Sequence, residues 1–314
     1  MEHLIQYGLF LAKSMTIVIA GLFLMGGVVA ISRKPKPKLS VTPLNKEYQD
    51  MKQHMEKELK IKTKKPKKKE KKEKASQHNV FVLTFEGDMK ANQVEQLRDE
   101  ITALLTIATP KDEVVLRLES PGGSVSGYGL AAAQLQRIRD RQIPLTVCID
   151  KVAASGGYLM ACVANQIIAA PFAILGSIGV VAQMPNFHKW LKKNSIDVEL
   201  LTAGEYKRTL TVFGENTTKG REKFQEDLED IHRVFKNYIL KNRGNINIDE
   251  ISTGEHWLAQ DAMQYNLVDK LQTSDDYLLS KIASMNLYQV KIHAKPSLIT
   301  KMTKPAMQYL HSWY

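Results

Sequence analysis

Residues 113–119, EVVLRLE, contain a short apolar run, VVL, and lead directly into the turn SPGGS at 120–124. An apolar run followed by a turn of small residues recurs at 143–157, IPLTVCIDKVAASGG. Short apolar runs that are bounded by glycine and proline are typical of buried strands. Helical periodicity at 92–107 and 127–139 indicates that helices connect the strands. Strands that alternate with helices at this spacing predict an α/β fold with crossover connections.

Further elements are predicted on both sides of this stretch. Strands are expected at 79–85, 166–170 and 198–201, where apolar residues run together. Residues 215–243 are predicted to form a long charged helix with one apolar face. A shorter amphipathic helix is predicted over 46–61.

Three turns of small residues, at 119–124, 153–158 and 176–180, each follow an apolar strand. Glycines at the carboxyl end of a strand let the backbone approach a ligand and point amide N–H groups at it, as an oxyanion site requires. Ser155 lies where a strand passes into a helix, and a helix N-terminus favours developing negative charge. Ordinary turn chemistry explains any one of these turns, but three together indicate a site with Ser155 as candidate nucleophile.

A serine hydroxyl is a poor nucleophile unless a base lies beside it. His188, His232 and His256 are scattered along the chain and are expected to be surface or packing residues. A lysine can also deprotonate a serine when it is held neutral. Lys207, in the small and polar segment TAGEYKRT, is one candidate, but spacing alone does not select it among the lysines of this chain.

The two cysteines, Cys148 and Cys162, lie in apolar contexts and are expected to be buried thiols. Two cysteines cannot form a disulfide framework, and their spacing does not suit structural zinc. Neither a metal nor another cofactor is therefore predicted.

The net charge of +11 comes from one segment. Residues 33–74 carry 17 Lys and Arg against 6 Asp and Glu, and the rest of the chain is balanced. A nucleic-acid-binding domain shows basic residues on a folded face and not only in a linker, so no nucleic-acid partner is expected. The segment is predicted to be a solvated spacer that anionic lipid headgroups would attract.

Four motifs follow one another along the chain: SPGG, ASGGY, GSIGV and GEYKR. Together they resemble the S49 serine peptidases, the signal peptide peptidase A-like family, and the resemblance covers essentially the whole chain. It implies a ClpP/crotonase-like fold of repeated β-β-α units, with Ser155 as nucleophile and Lys207 as general base. Ser177 matches the family serine that orients this lysine, and the backbone amides of Gly123 and Gly156 would line the oxyanion hole.

The resemblance also implies partners. The substrate would be a peptide or protein, such as signal-peptide remnants or misfolded polypeptides, and the chain would form a homo-oligomer with active sites at subunit interfaces. Two alternatives stay open, namely a crotonase-type acyl-CoA enzyme and a catalytically inactive membrane-tethered scaffold. The family ending A-x-x-x-G-L-V-D has Asn266 in place of glycine, and asparagine is the next best residue for a left-handed helix C-cap.

Residues 14–31, SMTIVIAGLFLMGGVVAI, contain no charge and as a helix would span about 27 Å, close to a bilayer core. The predicted organisation is an N-terminal anchor at 1–32, a Lys-rich linker at 33–74, an S49-like catalytic domain at 75–290 and a C-terminal tail at 291–314. The anchor is expected to cross the bacterial inner membrane once. The cations that follow it favour a cytoplasmic position for the catalytic domain.

Overall fold

The computed structural model describes residues 5–19, 38–61 and 78–293. Residues 5–19 are helical and mostly exposed. Within these three ranges, the structure contains no helix whose length and hydropathy together would allow it to span a bilayer. Most of the anchor predicted at 14–31 and most of the tail predicted at 291–314 lie outside the described residues.

The described residues fall into two compact units, of which 41–61 with 78–291 make the larger and 5–19 with 38–40 and 292–293 the smaller. The elements, in chain order, are β1 (Lys38–Pro43), α1 (Leu44–Glu58), β2 (Asn79–Glu86), α2 (Val94–Leu104), β3 (Glu113–Glu119), α3 (Val125–Asp140), β4 (Leu145–Ile149), β5 (Val152–Ala154), α4 (Gly156–Ala161), β6 (Gln166–Ala169), β7 (Ile174–Gly176), α5 (His188–Lys193), α6 (Thr218–Asn242), α7 (Ile248–Ile251), β8 (His256–Leu258), α8 (Ala259–Ala262), a 3-10 turn (Met263–Tyr265), β9 (Lys270–Leu271), α9 (Ser274–Lys281) and β10 (Asn286–His293).

The larger sheet has the strand order β1-β10-β2-β3-β4-β6-β9, and the pairs from β10 to β9 are parallel. The smaller sheet has the order β5-β7-β8, with β5 and β7 parallel and β8 antiparallel to β7. Strand β4 belongs to the larger sheet and β5, which follows it, to the smaller; β6 and β7 repeat this arrangement after helix α4. The protein therefore has a mixed α/β fold with a parallel-rich sheet.

The central strands of the larger sheet are buried on both faces. In β3, Val114, Leu116 and Leu118 belong to a large apolar cluster that includes residues of α2, α3 and α4. Val115, between them, belongs to a second cluster with Tyr277 of α9. Helices thus cover both faces of the sheet, as parallel sheets require, and this is why consecutive residues of the strand are apolar.

Most predicted elements are present. The strands predicted at 79–85 and 166–170 are β2 and β6, and the helices predicted at 46–61 and 215–243 are α1 and α6. The prediction of a strand at 198–201 is wrong. The backbone of these residues is irregular, because no described strand lies beside them to complete a hydrogen-bonded ladder. Their side chains are exposed.

Asn266 ends the 3-10 turn with φ of 57° and ψ of 23°, which confirms the predicted left-handed cap. Arg243, just after α6, donates to the Asn266 carbonyl oxygen at 2.6 Å. Its guanidinium also donates to both carboxylate oxygens of Asp269, at 2.9 and 2.8 Å. These bonds join the carboxyl end of α6 to the segment that enters β9.

Candidate active site

Ser155 lies in the tight turn between β5 and α4, with φ of 51° and ψ of −117°. Residues with a side chain rarely adopt this conformation, so the turn stores about 1–3 kcal/mol of strain. The Ser155 N–H donates to the Gly176 carbonyl oxygen at 2.8 Å, which holds the turn in place. Gly156 is the first residue of α4, so its N–H has no acceptor within the helix.

Ser177 lies beside Ser155 across the smaller sheet. Ala154 of β5 pairs with Gly176 of β7, so the two serines that follow are neighbours at the ends of adjacent parallel strands. Ser177 also has a positive φ, of 51°. Its N–H donates to the Glu255 carbonyl oxygen at 2.6 Å.

Both serines line a cavity of about 1120 Å³. Gly123 and Gly156 line the same cavity, so the structure brings four of the five predicted site residues together. Residues of α6 also line the cavity, and they include the apolar side chains of Leu228, Ile231 and Phe235. A cleft of this size and character can hold a ligand as large as a short peptide.

The SPGG turn reaches Ser155 because it consists of glycine where the two segments meet. At Gly122, where φ is 90°, an added Cβ would lie 2.7 Å from the Ser155 Cβ and 2.8 Å from the Gly156 nitrogen. At Gly123, an added Cβ would collide with the carbonyl group of Met89. The turn can pack this closely against the nucleophile candidate only without side chains.

Two amide groups of the site are free to bind a ligand. The Gly122 N–H is not one of them, because it donates to Ser120 Oγ at 3.0 Å. The N–H groups of Gly123 and Gly156 have no acceptor in the part of the chain that the structure describes. A pair of free backbone N–H groups beside a hydroxyl can stabilise the anionic oxygen of a tetrahedral intermediate.

Lys207 is the predicted site residue that the structure does not bring into this cavity. It is exposed and lies in an irregular turn, where its backbone N–H donates to the Gly204 carbonyl oxygen at 3.1 Å. A single chain therefore places Ser155 and Ser177 together without the lysine.

The lysine is carried by residues 186–214, which we call the arm. The arm is closed at its base, where the Phe187 N–H donates to the Val212 carbonyl oxygen at 2.7 Å and the Asn186 side-chain amide donates to that of Thr211 at 2.8 Å. The arm exposes large apolar side chains, which include Trp190, Ile196, Val198, Leu200, Leu201 and Tyr206. Such a concentration of exposed apolar side chains is typical of an interaction surface.

Of the three histidines discussed above, the structure brings one to the cavity. His188 and His256 do not line the cavity, whereas His232, on α6, does. The His232 Nε2 atom is buried, however, and has no hydrogen-bond partner among the residues described. No hydrogen bond therefore joins this atom to Ser155.

Two protein-family models match the chain. Peptidase family S49 N-terminal matches residues 2–135, and Peptidase family S49 matches 137–287. The "Probable protease SohB" of Haemophilus influenzae is 46% identical over 97% of this chain and 93% of its own length. The chain belongs to peptidase family S49. A second relative, the "Probable protease SohB" of Buchnera aphidicola subsp. Schlechtendalia chinensis, is 48% identical over 90% of this chain and 100% of its own length.

Among solved structures, mutants of the 1510-N membrane-bound stomatin-specific protease match part of the chain. One, in complex with a substrate peptide, has a TM-score of 0.46 and 16% identity, and covers 73% of this chain and 99% of that one. Another has a TM-score of 0.42 and covers 66% of this chain and 85% of that one. Membership of S49 rests on the sequence matches, which extend over both halves of the chain.

Proposed function

We propose that this S49 member is a serine endopeptidase in which Ser155 is the nucleophile and Lys207 the general base. The proposal rests on the position of Ser155 in the structure. It occupies a strained strand-to-helix turn at the wall of a large cavity, beside the free amides of Gly123 and Gly156. A hydroxyl, a cavity and an amide pair in this arrangement are what acyl transfer needs.

The proposed reaction begins when Ser155 Oγ attacks the carbonyl carbon of the scissile peptide bond and its proton moves to Nζ of neutral Lys207. The negative oxygen of the tetrahedral intermediate accepts hydrogen bonds from Gly123 and Gly156. Lys207 then protonates the leaving amine as the C–N bond breaks, and the acyl group stays on Ser155. Water attacks this ester with the lysine again as base, which releases the acid and restores the serine. Ser177 is proposed to hold the lysine in place by a hydrogen bond.

The lysine is proposed to come from a neighbouring copy of the chain. Lys207 is exposed and lies outside the cavity of its own chain, on an arm whose apolar side chains are uncovered. Docking of the arm on a second copy would bury these side chains and carry the lysine to a Ser155 cavity. The proposed assembly is therefore a homo-oligomer with active sites at subunit interfaces.

The subcellular location and the substrate class are proposed from the sequence and from the family. Residues 14–31 would anchor the chain in the bacterial inner membrane, with the cations of 33–74 holding the catalytic domain at 75–290 on the cytoplasmic side. A reporter fused after Tyr314 tests that side. The substrate class would be signal-peptide remnants or misfolded polypeptides.

Alternation of β-strands between two sheets supports a ClpP/crotonase-like fold.

Cleavage of a quenched casein substrate by the full chain in detergent tests the proposal. We expect Ser155→Ala and Lys207→Ala each to lower kcat by about 10³-fold or more, because acyl transfer loses its nucleophile or its base. Lys192→Ala removes another exposed lysine of the arm and is expected to keep the wild-type rate.

Other activity results would reject different parts of the proposal. Wild-type activity in Ser155→Ala would reject this nucleophile, and wild-type activity in Lys207→Ala would reject this base alone. A wild-type chain that neither cleaves casein nor reacts with serine-directed reagents would favour the inactive scaffold.

A further inference from the structure

The loops around Ser155 meet at a buried pair of hydroxyl groups that belong to Ser120 and Tyr128. Both side chains are fully buried. Ser120 follows β3 and Tyr128 lies on α3, and their oxygen atoms are 2.5 Å apart. The Tyr128 hydroxyl donates to the Asp88 carbonyl oxygen, in the loop after β2, at 2.8 Å. The two hydroxyls thus connect segments that are far apart in the sequence.

The hydrogen bonds in this pair have a defined direction. A carbonyl oxygen only accepts, so the single proton of the Tyr128 hydroxyl is used on Asp88. Tyr128 must therefore accept from Ser120, and Ser120 Oγ in turn accepts from the Gly122 N–H at 3.0 Å. The chain of donors runs from Gly122 through Ser120 and Tyr128 to Asp88. In a buried environment such consecutive bonds polarise and strengthen one another.

This chain determines which amide of the SPGG turn is free. Because Ser120 holds the Gly122 N–H, the adjacent Gly123 N–H is the one without an acceptor among the described residues. The far side of the turn is held by the Ser124 N–H, which donates to the Met89 carbonyl oxygen at 2.8 Å. Loss of the Tyr128 hydroxyl would leave Ser120 without its acceptor, and its Oγ could then turn away from Gly122.

The same two residues also support the other half of the site. An added Cβ at Gly156 would collide with the ring of Tyr128, which shows how closely the ring packs on the first residue of α4. The Ser120 carbonyl oxygen accepts from the Ala154 N–H at 3.0 Å, one residue before Ser155. The ring and the serine backbone therefore fix the nucleophile turn, while the two hydroxyls fix the SPGG turn.

We propose that Tyr128, acting through Ser120, is a positioning residue that sets the geometry of both oxyanion amides. This inference rests on the proposed function, since it concerns the same site. The Tyr128 hydroxyl is hydrogen-bonded to Ser120 and to the Asp88 carbonyl oxygen. It therefore acts on the reaction through the positions of Gly122 and Gly123 and not by contact with substrate. In the sequence, Tyr128 looks like an ordinary core aromatic residue of a helix.

Tyr128→Phe in the full chain tests this inference because it keeps the ring and removes the hydroxyl. We expect kcat to fall about 10- to 100-fold, less than the 10²- to 10³-fold typical for loss of a whole oxyanion donor, with KM within about twofold. A peptide aldehyde forms a tetrahedral adduct with serine, and its inhibition constant should rise by the same factor as kcat falls. Tyr288→Phe, which removes a hydroxyl from β10, is the matched control and should behave as wild type.

A second variant separates positioning from general destabilisation. Ser120→Ala interrupts the same donor chain, so Ser120→Ala with Tyr128→Phe should lose no more kcat than the worse single variant. Additive losses in kcat, or a Tyr128→Phe protein with wild-type kcat and aldehyde affinity, would overturn the inference while Ser155-dependent activity stands. Absence of any Ser155-dependent activity in the wild type would instead reject the proposed function, and this inference with it.

Discussion

Single glycine residues allow the turns of the site to meet. Gly122 has φ of 90° and lies against Ser155, and Gly123 lies against the Met89 carbonyl group. Because Ser155 itself has a positive φ, the strain of the nucleophile turn must be balanced by the packing of these glycines around it. The site therefore depends on the absence of side chains as much as on the serine.

Gly122→Ala is expected to lower the free energy of unfolding by about 1–3 kcal/mol and to abolish activity, since the new Cβ would meet Ser155 at an unfavourable φ. Gly129→Ala is the matched control for stability. It lies on α3 with nothing within 4 Å of an added Cβ, so it should raise stability by about 0.5–1 kcal/mol. Urea denaturation measures both. Equal midpoints for Gly122→Ala and the wild type would contradict the packing described for the SPGG turn.

At this scale the sequence indicated the turns that line the cavity more clearly than the residues that support those turns. The paired glycines and Ser155 form recognisable motifs, whereas Tyr128 has no local signal because its role depends on hydroxyl distances. Burial of Cys148 and Cys162 was predicted from their apolar neighbours and is confirmed. Desolvation raises the pKa of each thiol to about 12.

Among the elements, the strands buried on both faces were the easiest to predict. The central residues of β3, Val114, Val115 and Leu116, are all apolar because helices cover both sides of the sheet. β5, Val152–Ala154, has only three residues and was taken as part of a turn, and β1, Lys38–Pro43, lies in a segment predicted to be a spacer. The run at 198–201 is apolar but belongs to the exposed arm, so its hydrophobicity reports an uncovered surface and not a strand.

The ion pair at the end of α6 is expected to hold this helix to the segment that enters β9. Arg243 is only 10% exposed and binds both carboxylate oxygens of Asp269. Arg243→Ala should therefore lower the free energy of unfolding by about 3 kcal/mol, because it leaves a partly buried carboxylate without its partner. Arg233→Ala breaks the exposed pair with Asp230 on the same helix and should cost less than about 1 kcal/mol.

Urea denaturation of the two arginine variants gives the comparison directly. Similar losses in both would contradict the structural role assigned to the end of α6. A smaller m-value in Arg243→Ala alone would show that α6 detaches before the rest of the fold.

At the scale of the whole molecule, two features stand out: an excess of basic residues and the exposed apolar side chains of the arm. The excess of basic residues lies in 33–74, whereas the exposed apolar side chains described above lie on the arm. The first pattern was readable from composition. The second was not, because the sequence does not show which apolar residues of 186–214 remain uncovered by the fold.

A mixture of inactive chains tests the proposed assembly. If Ser155 and Lys207 act across an interface, coexpressed Ser155→Ala and Lys207→Ala chains should recover about a quarter of the wild-type activity, since random pairing restores that share of sites. Chains that are expressed separately should stay inactive. No recovery from mixed oligomers, isolated with two different affinity tags, would show that the two residues do not act in trans.

The central claim is that Ser155 is the nucleophile, and mapping the adduct of a fluorophosphonate tests it most directly. The full chain in detergent is labelled, digested and analysed by mass spectrometry. The account predicts a single adduct on Ser155 that forms more slowly in Lys207→Ala, because the base no longer removes the hydroxyl proton. An adduct on another residue, or undiminished labelling of Ser155→Ala, would contradict it.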